Sequence, residues 1–377
     1  MSTINVDIIL PQSSNVVGVN GVNISSPLGD PLNVAFGNGG LSMISGSNTT
    51  LIGSNAGGSL TTGNQNTAVG TYALISCTTG SNNTAVGMNS LFANVTGGNN
   101  VAIGASALIS NIIGSNSVAI GHEALKLYTS LPGQTAIGSG ALKSNLTGIQ
   151  NTAVGRSSLS LATGSSSTAV GFESLPALTT GTGNTALGVR AGTTLSSGSQ
   201  NTFLGHQIGW TLTSGDNNIM IGAGSAGPTF LSSGNNNILI GYLAEPSTPI
   251  VDNEITLGNS SNTVLRCAVT SITSLSDVRD KKEVTELSAG LDFVNTLKPV
   301  EFVWDDRNEN GRHDVKDFGF IAQDLKKSQE DAELSDVLKL VYEENPEKLE
   351  ASYGKLIPIL VKAIQELSAE VKQLKNK

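Results

Sequence analysis

The chain has 377 residues, a net charge of −9 and only 4% aromatic residues. Its first 275 residues carry 8 acids and 5 bases and the last 102 carry 22 and 16, while glycine runs the other way, 40 against 4. That division excludes one globular domain, and so little charge and aromatic surface excludes a conventional large enzyme core over most of the chain.

The acidic balance gives no pull toward nucleic acid or anionic membrane. No run of about 18 apolar residues is present to span a bilayer. Cys77 and Cys267 lie far apart in sequence and read as small buried hydrophobes rather than a disulfide or metal pair. His122, His206 and His313 have no ligand spacing, so no cofactor is expected.

The first 32 residues read as an attachment or cap segment. The start MSTINVDIILPQSS lacks the basic residues and the roughly 7–15-residue apolar run of a secretory leader. Residues 33–262 are a repeat built on N-T-A-V-G-x-x-x-L. Its glycines run from Gly37 and Gly53 through Gly70 to Gly258, 14 in all, mostly 17 residues apart. An apolar residue precedes each glycine, Ala usually stands two before, Asn often four before (Asn66, Asn83, Asn100) and Leu often four after (Leu74, Leu91, Leu108). Turn formers such as TTGNQN separate the units.

This period is too short for a helical hairpin. It fits a short strand, a turn, a second strand or coil, and another turn. Stacked rungs would align the Asn residues into a hydrogen-bonded ladder. Fourteen rungs would make a shaft of roughly 65–70 Å. So thin a rung is expected to bury little alone, which predicts subunits wrapped together, three by expectation. The repeat resembles the N-S-V-A-I-G repeats in heads of trimeric autotransporter adhesins, whose rungs are shorter, and repeats of phage and viral fibres. Asn116 to Gly121, NSVAIG, carries that resemblance. The predicted fold class is thus a mainly β repeat shaft, a trimeric β-solenoid or β-roll. A small α+β domain ending in a coiled-coil helix follows it. Calcium-binding nonapeptide rolls need regular Asp, which this region lacks. N-x-S/T sites such as Asn94 and Asn145 read as chance matches.

A linker is expected over 263–275, and residues 276–377 form the last domain. Ser288 to Leu297 reads as a short helix with Ser288 as N-cap, Val300 to Trp304 as a strand, and FGFIAQDL as the lead into a helix. At the end, Ile357, Ile364 and Val371 at a and Leu360, Leu367 and Leu374 at d form a seam of about three heptads. So short a seam needs support from the rest of the domain.

Three motifs occur in order. They are S-D-x-R-x-K at Ser276, Asp277, Arg279 and Lys281; G-F-I-A-Q-D from Gly319 through Gln323 to Asp324; and Y-x-x-L-x-P-x-L-x-x-A-x-x-E-L from Tyr353 to Leu367. Together they resemble the intramolecular chaperone auto-processing domain that ends phage tail spikes, endosialidases and neck appendages. The one departure is Asp324, where Glu is commoner. The resemblance implies a domain that trimerises, assists folding of the shaft and then cuts itself off between Leu275 and Ser276. Ser276 would be the nucleophile and Lys281 its partner in a Ser–Lys dyad.

The residues suit that chemistry. A serine hydroxyl needs a base to take its proton, and lysine serves only when burial or a cationic neighbour lowers its pKa. Arg279 and Lys282 are near in sequence. Gly319, Gln323 and Tyr353 read as packing or loop-geometry residues. Asp306, Asn308, Asn310, Asp314 and Asp317 match the spacing of a calcium loop, but the twelfth position is Asp and a polar hairpin explains the same residues.

The functional expectation is a viral, phage-like fibre or spike. It would be a homotrimer joined to the virion by its N-terminus, assembled in the host cytoplasm, and bound to a host-surface receptor through polar side chains, with a glycan as one candidate. The alternatives are a bacterial-type trimeric adhesin and an uncleaved fibre with a permanent trimerisation cap.

Overall fold

Half of the repeats place β-branched residues on either side of a small one, as in Thr67–Val69 and Val101–Ile103. Alternation along a strand sends the middle residue to one face and its neighbours to the other. The computed structural model describes residues 16–19, 22–25, 33–37, 45–130, 132–224, 231–259, 261–262, 264–266, 276–305, 314–347 and 349–377. It divides into two compact units, Met1–Gly258 and Asn259–Lys377.

In the first unit the repeats are rungs of a β-solenoid. Three-residue strands, from Val34–Phe36 to Ile255–Leu257, pair in parallel in sequence order into one 14-stranded sheet. Register keeps equivalent residues level: Thr67 beside Thr84, Ala68 beside Ala85, Val69 beside Val86. Ahead of it, Val16–Val19 and Val22–Ser25 form an antiparallel hairpin.

Of the strand or coil expected for the second segment of each rung, the structure has no strand but tight turns. Ala73 N–H donates to Gly70 O (3.3 Å) and Cys77 N–H to Leu74 O (3.3 Å). Tyr72 and Leu74 take left-handed φ values of 58° and 55°. This lets the turns bond from rung to rung, Tyr72 N–H to Ser54 O and Leu74 N–H to Ser90 O, both 2.9 Å. A left-handed leucine costs roughly 1–2 kcal/mol. Full burial of its side chain, about 1.5–3 kcal/mol, offsets that cost, and Leu74, Leu91, Leu108 and Leu125 are all fully buried.

Each rung therefore closes on its own core, and burial of its inner side chains does not need a second chain. The strand Ala and the turn Leu divide one fixed volume. Where Phe203 takes the Ala position, the turn residue four after the repeat glycine is Gly209, and a Cβ there would lie 2.3 Å from the Phe203 ring. Leu51 and Gly57 make the same exchange, at 2.6 Å. Interiors tolerate swaps that conserve volume.

Two axial columns fix the rung spacing. The repeat glycines have φ near +130°, and a Cβ on Gly87 would lie 2.7 Å from the carbonyl carbon and oxygen of Gly104 in the next rung. Beside them runs the expected amide ladder, fully buried. Asn66 Oδ1 accepts from Asn83 N–H (3.0 Å), Asn83 Oδ1 from Asn100 N–H (3.1 Å) and Asn100 Oδ1 from Ser117 N–H (3.1 Å). The Nδ2 groups donate to a second glycine column, Asn83 to Gly97 O at 2.9 Å and Asn100 to Gly114 O at 2.8 Å. Ser117, Gln134 and Ser167 carry the column where Asn is replaced. Asn94 and Asn145 are buried and donate to Gly97 O and Gly148 O, so the folded shaft offers neither to a glycosyl transferase. Cys77 is buried as expected, and desolvation pushes its thiol pKa up.

All four bases before Gly258 pair with two glutamates, while Asp216, Glu245, Asp252 and Glu254 lie farther along the shaft. Lys126 and Lys143 each sit 2.6 Å from Glu123, while Arg156 and Arg190 flank Glu173 at 3.4 and 3.1 Å. Arg156 also stacks 4.7 Å from the Phe172 ring centre. Hydrogen bonds from Lys126 and then Lys143 hold the Glu123 carboxyl at about 2, below its ordinary 4.5.

In the second unit, α1 (Leu291–Val294) precedes an antiparallel hairpin, Pro299–Val303 with Lys316–Phe320. Then come α2 (Ala322–Asp331), α3 (Ser335–Leu338), the strand pair Val341–Tyr342 with Glu350–Ala351, and α4 (Leu356–Lys375). Its core gathers Ala289, Phe293, Leu325, Leu340, Leu356 and Ile359. The first helix is shorter than expected and begins after Gly290, not Ser288. The cause lies in α4, described below.

Two outcomes are expected. Asn100→Ala strands the buried Ser117 N–H and Gly114 carbonyl and lowers shaft stability by about 2–4 kcal/mol, read as a lower guanidinium midpoint. For Glu123 the folded pKa lies below the unfolded one. Its contribution is therefore complete above pH 4.5 and is lost as pH falls through about 2. Denaturation of wild type and Glu123→Gln across that window should show their stability difference vanish at the acid end.

Candidate functional site

Ser276 and Lys281 bracket a single turn of 3-10 helix, Val278–Asp280. Asp277 caps it, accepting the Arg279 N–H at 2.9 Å. The turn reverses the chain and returns the Lys281 side chain to Ser276. Lys281 Nζ donates to Ser276 Oγ at 2.6 Å and to the Ser276 carbonyl at 3.2 Å. Five residues of spacing thus become one contact between a hydroxyl and an amine, on an exposed segment. Leu275 lies outside the described residues.

Arg279 does not present a bare positive charge here. Its guanidinium holds the Asp277 carboxylate through Nε at 3.0 Å and Nη2 at 2.6 Å. That contact lowers the Asp277 pKa and raises that of Arg279. The paired carboxylate offsets the field Arg279 would exert on Lys281, so Asp277 acts on the turn in two ways, as cap and as counter-ion.

The other two motifs meet each other. Gly319 is the penultimate residue of the hairpin's second strand, and a Cβ there would lie 2.6 Å from the Tyr353 hydroxyl. That hydroxyl accepts the Phe320 N–H at 3.1 Å and donates to the Phe320 carbonyl at 3.3 Å, with the two rings edge to face at 5.8 Å. Gly319 is required for this close approach, and Tyr353 pins the strand to the start of α4. Gln323 is exposed on the first turn of α2. Asp324, in the same turn, lies 4.0 Å from Lys298. A carboxylate there complements the positive end of the helix, which Asp and Glu do equally well.

Two residues went unmarked in the sequence. Glu366 Oε2 accepts the Leu291 N–H at 2.6 Å and so caps α1 from α4. It also occupies the space over Gly290, where a Cβ would lie 2.0 Å from that oxygen. This explains why the first helix starts after Gly290, and gives the Glu of A-x-x-E-L a structural role. Gln329 is buried and accepts the Leu340 N–H at 2.9 Å. Its signal was a polar residue four after Leu325 on the apolar face of α2.

Of the calcium-loop residues, Asp306, Asn308 and Asn310 lie outside the described residues. Asp317 lies on a strand and accepts the Trp304 indole N–H at 3.2 Å. Asp314 bonds its N–H to the Trp304 carbonyl at 3.1 Å, closing a hairpin rung. Among the described residues no three His, Cys, Asp or Glu side chains gather around a point that could hold a metal.

Residues 276–334 match the peptidase family described as chaperone of endosialidase. No curated protein and no solved structure matches the chain. The matched segment starts at Ser276 and contains the 3-10 turn, the hairpin and α2. Such a domain behind a β-solenoid shaft fits a phage tail-fibre-like or spike-like protein.

The Gly319–Tyr353 contact gives a cycle. Tyr353→Phe is expected to cost about 0.5–1.5 kcal/mol and Gly319→Ala about 1–3 kcal/mol by overpacking. The double variant should cost less than the sum, because the hydroxyl that obstructs the new methyl is gone. Unfolding followed by helical circular dichroism measures all three.

Proposed function

We propose that this chain is a subunit of a viral, phage-type tail fibre or spike whose C-terminal domain trimerises, guides folding of the shaft and then releases itself between Leu275 and Ser276. The observation that carries the cut is the 2.6 Å contact from Lys281 Nζ to Ser276 Oγ.

In this reading Lys281, as the neutral amine, takes the Ser276 hydroxyl proton. Oγ adds to the Leu275 carbonyl carbon, and the peptide C–N bond breaks. The proton passes to the departing Ser276 amine, leaving residues 1–275 as an ester on Oγ. Water then cleaves the ester, giving a carboxylate at Leu275 and restoring the hydroxyl. The event happens once per chain, so no substrate pocket is required. Ser276 and Lys281 are the catalytic pair. Asp277 and Arg279 shape the turn. Gly319, Tyr353 and Asp324 brace the domain.

Trimer formation is supported by α4. Its buried face, Leu356, Ile359 and Ala363, packs on its own domain. The heptad seam lies on another face and stays exposed, Ile357 at 64%, Ile364 at 65% and Leu374 at 70%. The short seam thus has the intradomain support it needs and remains open to copies of itself. The N-terminal segment would join the particle, and the shaft would meet a polar host receptor, a surface glycan being the favoured class.

Intact mass after purification tests the cut. Wild type should split into residues 1–275 and 276–377, while Ser276→Ala and Lys281→Met stay whole. An uncut, well-folded wild type would remove the dyad and leave a permanent trimerisation cap.

A further inference from the structure

Among the described residues of the first unit, the outward side chains of the 14-stranded sheet stay part-exposed. Each strand sends its middle residue into the rung and its first and third residues outward. These outward residues form two rows along the whole sheet. One runs from Val34 through Thr67, Thr135 and Thr202 to Ile255, the other from Phe36 through Val69, Ile137 and Leu204 to Leu257. Every position in both rows is Thr, Val, Ile, Leu or Phe, with no charge from end to end.

The face is open to solvent in the single chain. Phe36, Ile52, Ile103, Ile137, Leu187 and Leu257 are 37% to 56% exposed. The shaft's Lys, Arg and ion-paired Glu side chains sit on the turns instead. All-parallel sheets occur almost only with both faces covered. The turns cover the inner face here, and among the described residues of the first unit the outer side chains stay part-exposed. The strip, about 13 steps of ~4.8 Å by ~10 Å, offers on the order of 600 Å². Eight of the 14 first-row positions are Thr, so one row is aliphatic or aromatic throughout and the other mixes hydroxyls and methyls. The strip lies at the top of the roughly 300–600 Å² that the largest monomer patches reach and approaches the roughly 800 Å² per partner of a stable interface.

We infer that this two-row face is the shaft-to-shaft interface, and that its occupant is the same face of further copies of this chain. Only another shaft with this repeat presents the same apolar rows at the same axial spacing over the same length. The 16- and 19-residue steps do not disturb this match, because their length changes fall in the turns while strand pairing stays level, as at Thr152 with Thr168 and Ile219 with Ile238. Copies gathered through the α4 seam would meet at high effective concentration. The inference rests on the reading of the chain as a self-assembling appendage and adds to it the surface on which the shafts join.

The test uses the full chain. A photo-crosslinking benzoylphenylalanine at Ile137, on the face, is compared with one at Ile113, on a turn. Sedimentation over a dilution series compares wild type with Ile103→Lys/Ile137→Lys/Leu187→Lys. Chain-to-chain crosslinks from position 137 and not 113, with at least tenfold weaker association of the lysine variant, are expected. A multimeric wild type with no crosslink at 137 overturns the face while leaving assembly through α4 intact. A wild type that is monomeric at every concentration overturns both. If the lysine variant fails to fold, the crosslinks alone decide.

Discussion

The column of buried side-chain amides sets the geometry of the shaft. Each Asn carbonyl holds the backbone N–H of the next rung, and each Asn amine holds a glycine carbonyl. A buried donor left without a partner costs about 1–3 kcal/mol, so neighbouring rungs must keep one height and one phase. The repeat glycine follows from that spacing, since its Cα lies against the next glycine's carbonyl, with no room for a Cβ. The left-handed turn residues follow as well, because only that conformation lets turn amides bond along the stack.

Each rung solves its inner packing alone and leaves its outer face unsolved. A rung depends chiefly on its neighbours, as in other solenoids, and each new strand pairs after a loop of about one repeat, a modest closure cost. The first rung has no template, and the parallel edge with its apolar outer rows is an aggregation hazard until covered. A C-terminal intramolecular chaperone domain suits a shaft with those two difficulties.

The chaperone unit separates its tasks by helix face. In α4, Leu356, Ile359 and Ala363 point into the domain core and Glu366 caps α1. The heptad residues Ile357, Ile364 and Leu374 point elsewhere and stay exposed, so building the fold does not consume them. The turn at Val278–Asp280 is likewise local: Asp277, Arg279, Ser276 and Lys281 complete their contacts within six residues.

The sequence by itself determined what repeats and what is local. The 17-residue period, the Asn column, the glycine column and the apolar strand triplets were legible because a stack maps sequence period directly onto contact. The pairing of Ser276 with Lys281 came from the family resemblance carried by three motifs, not from their spacing alone. Tertiary structure decided what depends on distant residues or on volume. The return path was open between strand and coil, and left-handed leucines form turns there because burial offsets their strain. Phe203 and Gly209 look unrelated until they share one cavity. Ser288 had the right chemistry for an N-cap, but Glu366, 75 residues from Leu291, holds that helix end. Whether a rung encloses its own core depends on where Leu74 and its equivalents point, and periodicity records spacing without direction.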